Sequence, residues 1–217
     1  SSIEFVEALE TAGYQDQEAN RKYFKLNSNV WYENKEKGVE MLAVPEPQDE
    51  FRITVMVDYR SPILGTQHAS MYKISEFKDE IARSRTFVFL REVKQLANEG
   101  LIKGGDLNNA VVLIERIYSD EELHTIAQLL GKDDLKSRGD VPGVLNTSPL
   151  RYQNEPARHK LLDIMGDLAL MGCFLQAHIL AARPGHAGNT SFAKILKKMM
   201  IEEKKTPNLS TDRPSIL

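Results

Sequence analysis

The period of the apolar positions changes along the chain, and each change predicts an element. Residues 23–26, 29–33, 39–43 and 51–57 read as strands separated by turn chemistry at Asn27-Ser28, at 34–38 and at 45–49. This spacing predicts an antiparallel sheet arranged as a meander. Residues 67–74 supply a further edge strand, and 75–83 predict a helix, with Phe77, Ile81 and Ala82 at helical spacing. Residues 86–90 are short, apolar and β-prone. They are followed by a helical stretch at 92–98 closed by Gly100, a Gly104-Gly105 turn and an all-apolar strand at 110–114. Strand, helix, glycine turn and strand predict a βαβ unit.

Beyond this unit the periodicity weakens. Residues 121–130 predict a short helix, and 131–149, rich in Gly and Pro, predict a surface loop. A long helix follows at 155–172 and runs into an apolar strand at 173–182. The loop Arg183-Pro184-Gly185-His186-Ala187-Gly188 then precedes a last helix at 189–205. The expected fold class is α+β: a mixed or antiparallel sheet with helices packed on one face, a two-layer sandwich, plus the βαβ insert. Residues 206–217, with Pro207 and Pro214, read as a linker or tail. At the other end, Ser1-Ser2-Ile3-Glu4-Phe5-Val6-Glu7-Ala8-Leu9 predicts a capped amphipathic helix stopped by Gly13, with no basic n-region or signal-type run before it.

Composition narrows the function classes. The 217 residues carry 28 Lys and Arg against 31 Asp and Glu, a net charge of −3, so no broad positive field exists to hold a nucleic-acid backbone. An apolar share of 41% and a charged share of 27% fit a globular chain rather than a disordered or membrane one. The longest apolar stretch, 161–182, is interrupted by Asp163, Asp167, Gln176 and His178, which makes it a poor membrane span. Cys173 stands alone, which excludes intrachain disulfides and thiolate zinc clusters. Any metal would use imidazole and carboxylate ligands.

One helix carries such ligands. His159, Asp163 and Asp167 follow one another at i, i+4 and i+8, stacked on one face of a helix that is apolar around most of its circumference. An imidazole and a carboxylate at this spacing can share a zinc ion. Pairing of the aspartates with Arg158 or Lys160 explains the same residues without a metal. His186 lies in a glycine-flanked loop before a helix, where a histidine can act as a general acid or have no task.

Taken in order, several segments resemble the second half of UDP-3-O-acyl-N-acetylglucosamine deacetylase. They are Ser84-Arg85-Thr86-Phe87-Val88-Phe89-Leu90-Arg91-Glu92-Val93, Gly100-Leu101-Ile102-Lys103-Gly104-Gly105, Arg158-His159-Lys160-Leu161-Leu162-Asp163-Ile164-Met165-Gly166-Asp167-Leu168 and Pro184-Gly185-His186-Ala187-Gly188-Asn189. The family consists of zinc amidases that remove acetate from a UDP-linked, acylated N-acetylglucosamine in lipid A synthesis. Each enzyme is built from two similar α+β lobes with the active site between them. The resemblance implies zinc as cofactor with His159 and Asp163 as two of its three protein ligands. It also implies His186 as the proton donor to the leaving amine and Asp167 as the carboxylate that orients it. Thr86 would help to hold the oxyanion, Phe87 would contact the sugar and Lys160 would face the diphosphate. Phe89, Val93, Leu96, Leu101, Gly104 and Leu107 would line or wall the acyl-chain passage.

The resemblance also implies an incomplete site. The family's third ligand, a histidine preceded by the general-base glutamate, belongs to the first lobe, and no Glu-His pair occurs in this chain. Residues 1–13 are therefore expected to close a preceding first lobe. Residues 14–205 would form the second lobe, with the βαβ insert at 86–114 and a long loop at 118–156. In some bacterial relatives a hydroxyacyl carrier-protein dehydratase follows in the same polypeptide, and the tail suggests such a continuation. The expected setting is cytoplasmic, with no nucleic-acid partner and no membrane span. Two other classes compete: a non-catalytic binding module, and a metal phosphohydrolase, which would need more His and Asp ligands than the spacing supplies.

Overall fold

The computed structural model describes residues 1–100, 110–129, 143–145 and 149–205. Its main layer is a six-stranded sheet with strand order β2-β3-β9-β4-β5, and β1 pairs with β9 beside that path. The strands are β1 (Tyr23–Lys25), β2 (Val30–Asn34), β3 (Val39–Val44), β4 (Phe51–Asp58), β5 (Thr66–Met71) and β9 (Phe174–Ala182). Helices α4 (Glu155–Ala169) and α5 (His186–Lys205) cover one face. Leu161, Ile164 and Leu168 of α4 and Phe192, Leu196 and Met200 of α5 pack there on Ile53, Val55, Ile179 and Ala181. The architecture is α+β with a mixed sheet, as the sequence pattern predicts.

The meander needs a correction. β3 and β4 do run antiparallel, but β9 lies between them, antiparallel to β3 and parallel to β4. β9 is the apolar nine-residue run at the centre of the sheet, where both neighbours use its backbone groups. The connection at 45–50 must therefore cross two strand spacings, roughly 9.5 Å. Glu46, buried in this connection, accepts from the backbone N–H groups of Gln48 and Glu50 at 2.7 and 3.1 Å and faces Arg52 at 3.2 Å.

A second layer holds the predicted βαβ unit. β6 (Thr86–Phe89) and β7 (Ala110–Ile114) are parallel, with α2 (Leu90–Asn98) as the first part of the crossover. β7 is buried at every position, as a central parallel strand should be. α3 (Asp120–Leu129) packs with α2 on this layer through Leu90, Val93, Leu123 and Ile126. Within the expected loop at 131–149, β8 (Gly143–Val144) pairs antiparallel with β7. The helix expected at 75–83 is instead a three-ten turn, Ile74–Glu76, followed by a π-helical turn, Phe77–Ile81, whose wide register is seen in the 2.8 Å bond from the Ala82 N–H to the Phe77 carbonyl. α1 (Ile3–Ala12) buries only Ile3, and its Phe5 and Leu9 are exposed. Residues 206–217 lie outside the described residues. Among those described, no helix is long and apolar enough to cross a membrane.

His178 sits on the sheet face away from the helices, its Nε2 3.0 Å from Thr54 Oγ1. Burial first, and then the nearby Arg52, lower its pKa, while Glu46 opposes them. A histidine whose folded pKa lies below its unfolded value, about 6.5, binds its proton first in the unfolded chain. Stability is therefore full above that value and falls as pH drops through it. Replacing His178 by Gln is expected to flatten the fall in urea midpoint between about pH 7 and 5. An unchanged slope would assign the pH dependence to other groups.

Candidate active site

α4 begins with Glu155 and Pro156, where an acidic side chain complements the helix N-terminus and proline costs no helical bond. One and two turns later its polar face presents His159 and Asp163. His159 Nε2 lies 3.3 Å from Asp163 Oδ1, and both side chains are largely buried. Burial lowers the His159 pKa, only partly offset by the Asp163 carboxylate, so the ring is neutral near pH 7 and its nitrogen can serve as a ligand. A separation of 3.3 Å is the edge of a tetrahedron whose centre lies about 2.0–2.1 Å from each corner, the zinc distance for imidazole and carboxylate. The donor pair thus fits two corners of a zinc site. Among the described residues no cluster of three or more His, Cys, Asp or Glu is placed to hold a metal.

Lys160 takes part in this site through the pairing with an aspartate that the spacing allowed. Its Nζ lies 3.0 Å from Asp163 Oδ2 and 5.5 Å from the Phe87 ring centroid. Arg158 turns instead to Glu80, at 2.6 Å.

The other half of the site comes from the end of β9 and the start of α5. Arg183 reverses the chain with φ 51°, a left-handed conformation, and donates from Nε to the Gly38 carbonyl at 2.5 Å. His186 is then the first residue of α5, not a loop residue before it: the Asn189 N–H already bonds to the Gly185 carbonyl at 2.8 Å. His186 Nδ1 is 2.9 Å from Asp167 Oδ2, and its Nε2 is 3.9 Å from Asp163 Oδ1. Asn189 Nδ2 donates to the same Asp167 oxygen at 2.9 Å. Asp167 is thereby held at the positive end of α5 between two partners. The His186 side chain remains 69% exposed, so the face that carries it is open.

Gly188 explains how the start of α5 is seated. A Cβ there would lie 3.0 Å from Val39 Cγ1 and 3.7 Å from Tyr32 Cε1. Gly188→Ala is expected to destabilise the chain by about 1 kcal/mol, because overpacking at about 1–3 kcal/mol exceeds the helix-propensity gain of about 1 kcal/mol. A raised urea midpoint would show that Val39 yields freely.

Thr86, at the start of β6, is exposed, and Phe87 is half-buried with its ring edge-on to His159 at 6.4 Å between centroids. Phe89 is buried against Tyr59, and Val93 is buried beneath α3, while Leu96 is half-buried. Leu101, Gly104 and Leu107 lie outside the described residues.

Three features escaped the sequence pattern. Asn189 completes the Asp167 cradle three residues after His186, and its only signal is the need of a half-buried carboxylate for donors. Tyr59 packs edge-on against Phe87 and Phe89, and its hydroxyl is buried without a hydrogen-bond partner among the described residues. Burial, then the Asp163 carboxylate, raise the pKa of that phenol well above its ordinary range. The third is a buried ion pair between Arg85 and Glu155, with Nε to Oε1 at 2.9 Å and Nη2 to Oε2 at 3.0 Å.

A sequence profile described as UDP-3-O-acyl N-acetylglycosamine deacetylase matches residues 1–128 and 139–198. The chain belongs to this deacetylase family. Among its curated relatives, the bifunctional enzyme LpxC/FabZ of Chlorobaculum tepidum is 46% identical over 199 residues, 91% of this chain and 42% of that protein. The bifunctional enzyme LpxC/FabZ of Bacteroides thetaiotaomicron is 37% identical over 214 residues, 98% of this chain and 46% of that protein. The UDP-3-O-acyl-N-acetylglucosamine deacetylase of Nitratidesulfovibrio vulgaris is 36% identical over 198 residues, 91% of this chain and 54% of that protein. The chain thus spans about half the length of the deacetylase-family relatives it matches.

Proposed function

We propose that the chain is the second lobe of a zinc-dependent, cytoplasmic deacetylase acting on UDP-3-O-acyl-N-acetylglucosamine in lipid A synthesis. The observation that carries this reading is the convergence of two pairs, His159 with Asp163 and His186 with Asp167, with His186 Nε2 3.9 Å from Asp163. His159 and Asp163 hold zinc, which when bound supplies Lewis acidity toward the amide carbonyl. A first lobe supplies the third ligand and the general-base glutamate. The relatives' greater length and the exposed Phe5 and Leu9 of α1 support a further lobe packed against this one.

On this chain's side, Asp167 and Asn189 orient His186, and His186 gives its Nε2 proton to the leaving amine, which departs well only when protonated. Thr86 donates its hydroxyl to the oxyanion and Phe87 flanks the sugar. A cation at His159 and Asp163 would take over neutralisation of Asp163 and free the Lys160 ammonium for the diphosphate. Phe89, Val93 and Leu96 belong to the wall of the acyl-chain passage. The names of the bifunctional relatives support a second activity in the same polypeptide, proposed as a 3-hydroxyacyl carrier-protein dehydratase.

The test is acetate release from UDP-3-O-((R)-3-hydroxyacyl)-N-acetylglucosamine by the complete polypeptide containing this chain. Release should vanish with a chelator and return with zinc. Chelator-resistant release would overturn the zinc assignment, and no release with zinc present would overturn the substrate.

A further inference from the structure

Arg85 and Glu155 are the most deeply buried oppositely charged side chains among the described residues, 1% and 0% exposed. Glu155 Oε1 accepts from both Nε and the backbone N–H of Arg85, each at 2.9 Å, and its Oε2 accepts from Arg85 Nη2 at 3.0 Å and from the Arg151 backbone N–H at 2.7 Å. Arg85 Nη2 also donates to the Pro149 carbonyl at 2.9 Å. The pair joins two segments 70 residues apart in sequence. Each side of it leads directly into the site. Thr86 and Phe87 follow Arg85 without an intervening residue, and His159 stands one helical turn after Glu155 on the same face of α4. Two exposed bonds repeat the stitch, from Arg151 Nη1 to the Arg83 carbonyl at 2.6 Å and from Tyr152 Oη to the Asp79 carbonyl at 2.7 Å.

A bidentate guanidinium–carboxylate pair fixes orientation as well as distance. Replacing a buried pair by apolar side chains of similar volume commonly leaves stability unchanged. Burial of charge is therefore a poor way to gain stability here and a good way to fix one register of β6 against α4. We propose that Arg85 and Glu155 are positioning residues of the deacetylase reaction, setting Thr86 and Phe87 against the His159–Asp163 pair. This rests on the proposed function, since it is that reaction the register serves.

The experiment compares the complete polypeptide with a double variant, Arg85→Met with Glu155→Leu, and with the single variant Arg85→Lys. The double variant should stay folded with a lowered urea midpoint, because it also removes the acceptor of the Arg85 and Arg151 backbone N–H groups. It should nevertheless lose about 10–100-fold in kcat, as expected for a misplacement of roughly 1 Å, while KM stays within about threefold. Arg85→Lys, which keeps the charge and loses the fork, should fall between the two. A readout independent of turnover is the NMR resonance of the His159 ring protons, which lie at the edge of Phe87 and should move in the double variant. Parental kcat and unmoved His159 resonances in a folded double variant would overturn the inference, as would unfolding of both variants. If the parent releases no acetate but the resonances move, the function fails and the positioning stands.

Discussion

Replacing His186 by alanine in the complete polypeptide is expected to lower the proposed deacetylase kcat by about 10²–10⁴-fold and to leave KM nearly unchanged. The expectation follows from how the imidazole is held. Its Nδ1 is committed to Asp167 Oδ2 at 2.9 Å, leaving Nε2 toward Asp163 and the proposed metal. An amine is expelled from a tetrahedral intermediate only with a proton, and that need arises in the transition state rather than on binding. The loss therefore falls on kcat. Asp167→Asn, which keeps the shape and removes the charge opposite the imidazole, should give a smaller loss of the same kind. Steady-state kinetics of the variants decides, and a parallel rise in KM would assign His186 to substrate binding instead.

Replacing Glu155 by alanine destabilises the chain by about 3–5 kcal/mol, because it leaves the Arg85 guanidinium buried without its counter-charge. Burial raises the Glu155 pKa, but hydrogen bonds from the Arg85 side chain, the Arg85 N–H and the Arg151 N–H outweigh it, and the net shift is downward. A carboxylate depressed in the folded state contributes stability that is fully present above its unfolded value, about 4.3, and is lost as pH falls through the folded value. The parent should accordingly weaken steeply below about pH 4, and the Glu155→Ala variant should lack that part of the acid transition. Urea denaturation across this range measures both effects. A loss under about 1 kcal/mol would show that water reaches Arg85 readily.

Most of the local structure was legible because it rests on neighbours in sequence. The β6-α2-β7 unit followed from a short apolar run, a helical stretch and an uninterrupted apolar strand. The site was legible to the extent that one helix carries it: His159, Asp163 and Asp167 share a face at fixed spacing, whereas the sequence pattern starts α5 three residues late and leaves His186 in the loop before it. What remained hidden depends on distant partners. The turn chemistry at 45–49 suits a hairpin, and nothing local tells that β9, more than a hundred residues later, takes the place between β3 and β4. The residues at 75–83 carry a helical apolar period, but packing of Ile81 beneath α4 favours the wider π-helical turn. Arg85 and Glu155 look like ordinary surface charges in sequence, since burial of each is made possible only by the other. Lys160 could be read as pairing with Asp163 or as facing a substrate, and the structure shows the first arrangement.

The central claim is that this chain carries one half of a zinc site and needs a second lobe to turn over. The most direct measurement is acetate release, with one equivalent of zinc, by the 217-residue chain alone and by the same chain joined to a first lobe that carries a Glu-His pair. The joined protein should bind zinc stoichiometrically and release acetate, and the chain alone should do neither. Robust turnover by the 217-residue chain alone would contradict the claim outright.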